Sequence, residues 1–227
     1  MNLISEKLRK IAVAYFLVQS IPLLLGYVNN SELQLIDIPC LDSPFYFSFL
    51  LIVALVVSEF YWYWIHYCNH RFNFLWAIHE FHHSSIYFNY SVAARIPVIF
   101  FAEGLLGIYF LAFLGFPQEI VSTLSLFTIV YVFLTHSDHS PEMPALSKVF
   151  ITPYDHSKHH ESDFQKQHSN YGQILSIYDH LFKTYNRDKK TYLYGCLADY
   201  KAESVFEAQF LPLFRYIKKV LFEAKPF

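Results

Sequence analysis

Apolar residues gather in four long stretches, at residues 11–28, 44–65, 96–116 and 120–135. Each is near the ~20 residues that a bilayer-spanning helix needs. The first is uncharged but holds Gln19, Ser20 and Pro22; the second carries one acid, Glu59, and the third one acid, Glu103. Lys7, Arg9 and Lys10 precede the first stretch as they would a signal peptide, but no small-x-small cleavage site follows, so a retained anchor is expected. Residues 137–200 are the most polar part, with turn signals in "SPEMP", "TPYD" and "SNYG". Over residues 202–224, Phe206, Phe210, Phe214, Ile217 and Leu221 recur at helical spacing. That stretch reads as an interfacial amphipathic helix, kinked at Pro212. The pattern predicts an all-α integral membrane protein of one domain, residues 1–227, with four transmembrane helices. The histidine-rich segments 66–95 and 136–200 form its cytosolic helical cap.

Charge sharpens this picture. If all four stretches cross, the seventeen Lys and Arg residues fall on one side and none on the other. The positive-inside rule makes that side cytoplasmic, with both termini on it. A soluble helical protein has no reason to sort its charges this way. The composition agrees: 54% hydrophobic and 20% aromatic, with 16% charged, against about 25% charged in ordinary domains. A net charge of −2 offers no basic excess for nucleic acid. Cys40, Cys68 and Cys196 form no CxxC pair, which argues against a disulfide framework and a thiolate zinc site.

The chemistry lies in the twelve histidines. His66 and His70 are spaced i, i+4; His79, His82 and His83 are i, i+3, i+4; His156, His159 and His160 repeat that spacing. On a helix such residues share a face, and neutral imidazole is the commonest metal ligand. With His136 beside them, these are too many for one ion, since a zinc site takes three or four. Two metals are the natural count. His139 and Asp138 are further candidates in "HSDHS", His168 is a possible neighbour of the site, and His180 reads as a plain structural residue. The shortage of carboxylates at helical spacing disfavours Mg²⁺ and Ca²⁺, leaving iron, zinc or copper. A two-iron site can use O2 to attack an unactivated C–H bond, and a lipid is the natural substrate beside a membrane. Asp155, Glu161, Asn170 and Asp179 are candidates to orient the histidines. Surface solvation is an equal reading for Glu161. Intramembrane Glu59 lies two turns from His66 on the same face, placed to hold a ligand or line the substrate path.

The stretch "EFYWYWIHYCNHRFNFLWAIHEFHHSSIYFNYSVAAR" resembles the fatty acid hydroxylase and sterol desaturase superfamily. The matching residues are Glu59, Phe60, Tyr63, His66, His70, Trp76, His79, His82, His83, Asn89 and Arg95. The second half, "HSKHHESDFQKQHSNYGQILSIYDHLFKTY", is similar to the same family's HxxHH, NYG and aromatic-Asp-x-Leu-Phe pattern. The chain departs at Tyr67, where Arg is frequent, and at Lys183, where Gly is usual. The resemblance implies a membrane-bound, O2-dependent non-haem di-iron enzyme that hydroxylates or desaturates a sterol or fatty acyl lipid. It implies iron ligands at His66, His70, His79, His82, His83, His136, His156, His159 and His160, with His139 also possible; zinc is an expected substitute in recombinant protein.

Without a GxGxxG motif the chain carries no recognisable nicotinamide or flavin domain, so electrons are expected from a separate cytochrome b5-like, ferredoxin or reductase partner. The expected location is a bacterial inner membrane or the endoplasmic reticulum. Two other classes compete. "HEFHH" also fits HExxH, a membrane zinc protease with His79 and His83 as ligands and Glu80 as base. A metal transporter or buffer would instead place its ligands near the bilayer midplane.

Overall fold

A computed structural model describes residues 34–36, 38–39, 43–196 and 204–223. The expected first span at 11–28 lies outside them, as do the ends of the expected 202–224 helix. The described chain is helical. In order come α1 (Pro44–Arg71), α2 (Asn73–His83), α3 (Tyr90–Ala93), α4 (Val98–Phe113) and α5 (Gln118–Thr135). After the 3-10 turn Leu146–Lys148 follow α6 (Pro153–His159), α7 (Phe164–Gln167), α8 (Ile177–Leu181) and α9 (Val205–Lys218), which runs into a π turn, Lys219–Glu223. Among the described residues there is no strand, only isolated bridges at Phe150–Leu175 and Glu161–Tyr194.

Two helices, α1 with 28 residues and α5 with 18, are long and apolar enough to cross a membrane. Along α1 the exposed Phe45, Phe49, Ile52, Val56, Phe60 and Trp64 recur every three or four residues, one continuous apolar face. A water-facing helix would carry polar residues there. The third expected span is shorter than the sequence suggests. Pro97 stands just before α4, and Gly115 ends it at 16 residues, about 24 Å of rise against a ~30 Å core. The ending is a Schellman motif: Phe116 N–H donates to Leu111 C=O (3.1 Å) and Gly115 N–H to Ala112 C=O (3.0 Å). Gly115 sits at φ 97, and a Cβ there would collide with the Ile36 carbonyl.

The described residues pack as two compact units, one taking those up to Val57 with Leu106–Phe127, the other Ser58–Leu105 with those from Thr128 onward. The first has its core where Leu50 and Ala54 meet Leu111, Ala112, Phe116, Ile120, Val121 and Leu124. The second holds the histidines. There α2 buries Ala77 and Phe81 together with His79, His82 and His83. α9 packs against α2, with Phe74 and Tyr216 rings 6.1 Å apart. The "TPYD" stretch, which reads as a turn, starts α6 instead. Thr152 Oγ1 accepts from Asp155 N–H, Asp155 returns the bond to Thr152 N–H, and Pro153 fills the first helical position.

Candidate metal centre

Four elements of the second unit deliver the histidines. The last turns of α1 carry His66 and His70, and α2 carries His79, His82 and His83. His136 follows α5, and α6 with its C-cap supplies His156, His159 and His160. They converge as two groups. One joins His66, His70, His79, His83 and His159, the other His82, His136, His156 and His160; in each, one nitrogen per residue lies within 4.8 Å of all the others. Each HxxHH motif therefore serves both groups. Residues i and i+4 differ by about 40° around a helix axis, whereas i+3 and i+4 differ by about 100°. His79 and His83 thus face one group while His82 faces the other, and α6 repeats the split with His156 and His160 against His159. The groups abut where the His83 and His160 rings stack at 4.2 Å.

Hydrogen bonds set the protons. A carbonyl can only accept, so a ring nitrogen bonded to one must carry the hydrogen. His66 Nδ1–H donates to Tyr171 C=O (2.8 Å), His82 Nδ1–H to Arg95 C=O (3.3 Å), His136 Nδ1–H to Val132 C=O (2.7 Å) and His159 Nδ1–H to Ser169 C=O (2.7 Å). Each of these neutral rings then keeps its lone pair on Nε2. Burial, with the neighbouring histidines adding to it, holds His79, His83, His156 and His160 well below the usual imidazole range, and His82 and His159 likewise. Burial pushes His136 down to about 4. These rings are neutral at pH 7.

In one pair the result is lone pair facing lone pair. His136 Nε2 lies 3.5 Å from His82 Nε2, and both protons are already committed elsewhere. His156 Nε2 is 3.1 Å from His136 Nε2 and 3.2 Å from His160 Nε2, and in the other group His79 and His83 Nε2 are 3.1 Å apart, distances at which one neutral ring can donate to another when no ion is bound. Buried nitrogens of His70 and Nε2 of His159 have no protein partner. A shared cation resolves the repulsion, and the spacing suits one. With metal–nitrogen bonds of about 2.0–2.1 Å, tetrahedral ligand nitrogens stand about 3.4 Å apart. The residues present fit a metal ion in each group.

The carbonyls that hold His66 and His159 belong to the "SNYG" loop, which is itself pinned from below. Asp179 accepts from Tyr171 N–H (2.8 Å), Gly172 N–H (2.8 Å) and Thr184 Oγ1 (2.7 Å). Burial raises its pKa to about 6, against the pull of those bonds. Glu59 reaches the same segment. Its Oε2 accepts from Ile174 N–H (2.8 Å) and Leu175 N–H (2.9 Å), so it ties α1 to the loop and bonds to no histidine. Asn170 has φ 55, donates to Asp155 C=O (3.0 Å) and accepts from Asn186 N–H (2.9 Å). Asp155 itself is taken up by Ser147, Thr152 and Tyr185.

Other expectations fare differently. Glu161 is fully buried rather than solvated, accepting from Lys166 Nζ (2.7 Å), Thr191 Oγ1 (2.8 Å) and Tyr192 N–H (2.8 Å). His139 is exposed and lies outside both groups, and Asp138 pairs with Lys190 Nζ (2.6 Å) and Tyr194 OH (2.7 Å). His168 is likewise in neither group, though its ring centroid is 5.8 Å from that of His70. His180 bonds Ser147 C=O at 3.0 Å, a structural role as expected. Glu80 sits against Cys196 and the Arg215 charge, with burial raising its pKa. Sequence reasoning missed the backbone acceptors Arg95, Val132, Ser169 and Tyr171, since a carbonyl has no residue signature. It also missed Phe88 and Phe100, whose rings flank His136 (5.5 Å) and both His79 (4.9 Å) and His82 (5.5 Å).

The class so defined is a helical protein with apolar exposed helices and two adjoining, buried, all-imidazole sites. The chain belongs to the fatty acid hydroxylase family, whose model matches residues 51–184. Among curated proteins it is similar to alkylglycerol monooxygenase of Homo sapiens, at 29% identity over 175 residues, which cover 76% of this chain and 38% of that protein. The Danio rerio alkylglycerol monooxygenase is 30% identical over 157 residues, 66% of this chain and 33% of the relative. An ornithine lipid hydroxylase of Rhizobium tropici is 30% identical over 148 residues, 61% of this chain and 42% of the relative. The chain thus spans well under half the length of these relatives. No solved structure matches it.

Proposed function

We propose that the chain is a membrane-bound oxygenase that hydroxylates a lipid, using two iron ions held by the nine clustered histidines and electrons from a separate protein. The observation that carries this reading is the convergence of nine imidazoles, one nitrogen each within 4.8 Å of the rest of its group, in two abutting groups. When bound, the iron pair supplies the redox chemistry by which O2 reacts with an aliphatic C–H bond. In balance, RH, O2, two electrons and two protons give ROH and water. Relatives named as a monooxygenase and a lipid hydroxylase favour hydroxylation over desaturation.

The chain's own contribution is orientation and dryness. Carbonyls of Arg95, Val132, Ser169 and Tyr171 fix the imidazole tautomers and aim each Nε2 inward. Rings of Trp76, Phe88 and Phe100 exclude water from both groups. Phe100 stands near the start of α4 and touches one histidine of each group, so a hydrocarbon chain lying along that apolar helix meets the centre there. The protease alternative is disfavoured: His79 shares its group with four other histidines, and Glu80 sits against Cys196 and Arg215.

Our topology keeps four spans, at residues 11–28, 44–65, 96–116 and 120–135, the third made up by the residues that flank the 16-residue α4, with the histidines and every Lys and Arg on the cytoplasmic side. Turnover under ¹⁸O2 with an external reductant tests the function. One labelled oxygen in a hydroxylated lipid is expected; activity that persists without O2 removes the proposal.

A further inference from the structure

The side chains outside the histidine groups are mostly satisfied, and one surface feature connects directly to them. A groove of about 450 Å³ is lined by residues that include His168, Ser169, Lys183, Thr184 and Arg187. Its floor is one hydrogen bond from the five-histidine group, because the Ser169 carbonyl accepts the His159 Nδ1 proton at 2.7 Å. A second link is independent of the first. His168, in the same wall, brings its ring centroid within 5.8 Å of that of His70. In the four-histidine group, His82 and His136 are held instead by the carbonyls of Arg95 and Val132, residues that do not line the groove.

The rim is cationic. The segment 183–190 reads "KTYNRDKK", with Asp188 as its single acid. Lys190 is buried and neutralised by Asp138, whereas Lys183, Arg187 and Lys189 are exposed. Lys183 is held at φ 61, a left-handed backbone that side-chain-bearing residues adopt at a cost. Of the buried acids, Asp155 and Glu161 are matched by the buried Lys158 and Lys166, and burial favours the neutral form of Asp179, which leaves the rim cations largely unbalanced from below.

We propose that this groove is the docking site of an acidic one-electron carrier protein, and that electrons pass from it through His168 and the Ser169–His159 hydrogen bond to the five-histidine group. The inference rests on the oxygenase reading. Two successive dockings deliver the two electrons that, with two protons, reduce one oxygen atom of O2 to water while the other enters the product. The opposed charges steer the encounter, and salt screens it.

The test uses the full chain in zwitterionic nanodiscs, with a reduced acidic [2Fe–2S] ferredoxin as probe. Carbodiimide, which joins carboxylates to amines, should link ferredoxin to Lys183 or Lys189. The Lys183→Glu/Arg187→Glu variant should bind the probe about tenfold more weakly at low salt, and added salt should erase the difference. Metal content and helical circular dichroism report whether the variant is intact. Cross-links confined to Lys218 and Lys219, or probe affinity indifferent to the double substitution, overturn the site; so does a variant altered only in lipid affinity. Dithionite needs no docking. Wild type reduced by dithionite without O2, freed of the excess and then given O2 should form product in a single turnover; failure refutes the oxygenase reading, while the cross-link map still decides the groove.

Discussion

His66, His82, His136 and His159 each commit the Nδ1 proton to a backbone carbonyl, and that choice decides what their other nitrogen can do. The same neutrality sets a pH window. In the unfolded chain these rings ionise near 6.5, whereas His136 in the fold does so near 4. Metal-free protein should therefore be fully stable above about 6.5 and weaken as pH falls toward 4, because the unfolded chain takes up those protons first. Denaturant titrations across that range check the sign; stability that rises on acidification contradicts it. Asp179 acts on the histidines through the loop it holds. Asp179→Ala frees Tyr171 and Gly172 N–H, and the affinity of the five-histidine group should drop about 10–100-fold while the other group keeps its metal. Equal loss from both groups in a competitive chelation series speaks against this division. Glu80→Gln should leave metal bound and lower turnover only modestly; complete loss of activity with metal retained would revive the zinc protease.

Among the elements, the ones with strong periodicity were legible and the ones set by caps were not. The apolar runs at 44–65 and 120–135 anticipate α1 and α5 because burial or lipid contact rewards an unbroken apolar helix. Histidine spacing in "HEFHH" and "HSKHH" announces both metal-type motifs, since i, i+3, i+4 has one geometric meaning on a helix. What it hides is which histidines of the other elements join each face, since His66 and His70 go with one group and His136 with the other. "TPYD" looks like a turn because Pro and Asp favour turns and helix starts alike. Only the reciprocal Thr152–Asp155 bonds distinguish them. Thr152→Ala should cost about 1 kcal/mol and loosen the α6 histidines, visible as lower melting temperature with metal bound. Glu59 was legible as important and illegible in role, because its acceptors' partners are backbone N–H groups 115 residues away in sequence.

For the whole molecule, long apolar helices and a polar, histidine-bearing part follow from one fact, the segregation of charge from apolar length. Single cysteines placed within residues 29–43 should label from the side opposite a cysteine at Ser85; labelling from the same side defeats the four-span topology. The central claim is that two ions, not one, lie among the nine histidines. Iron loaded anaerobically into purified, zinc-free protein should bind at two per chain, and His83→Ala or His160→Ala should each lower that count. Saturation at one iron per chain contradicts the account.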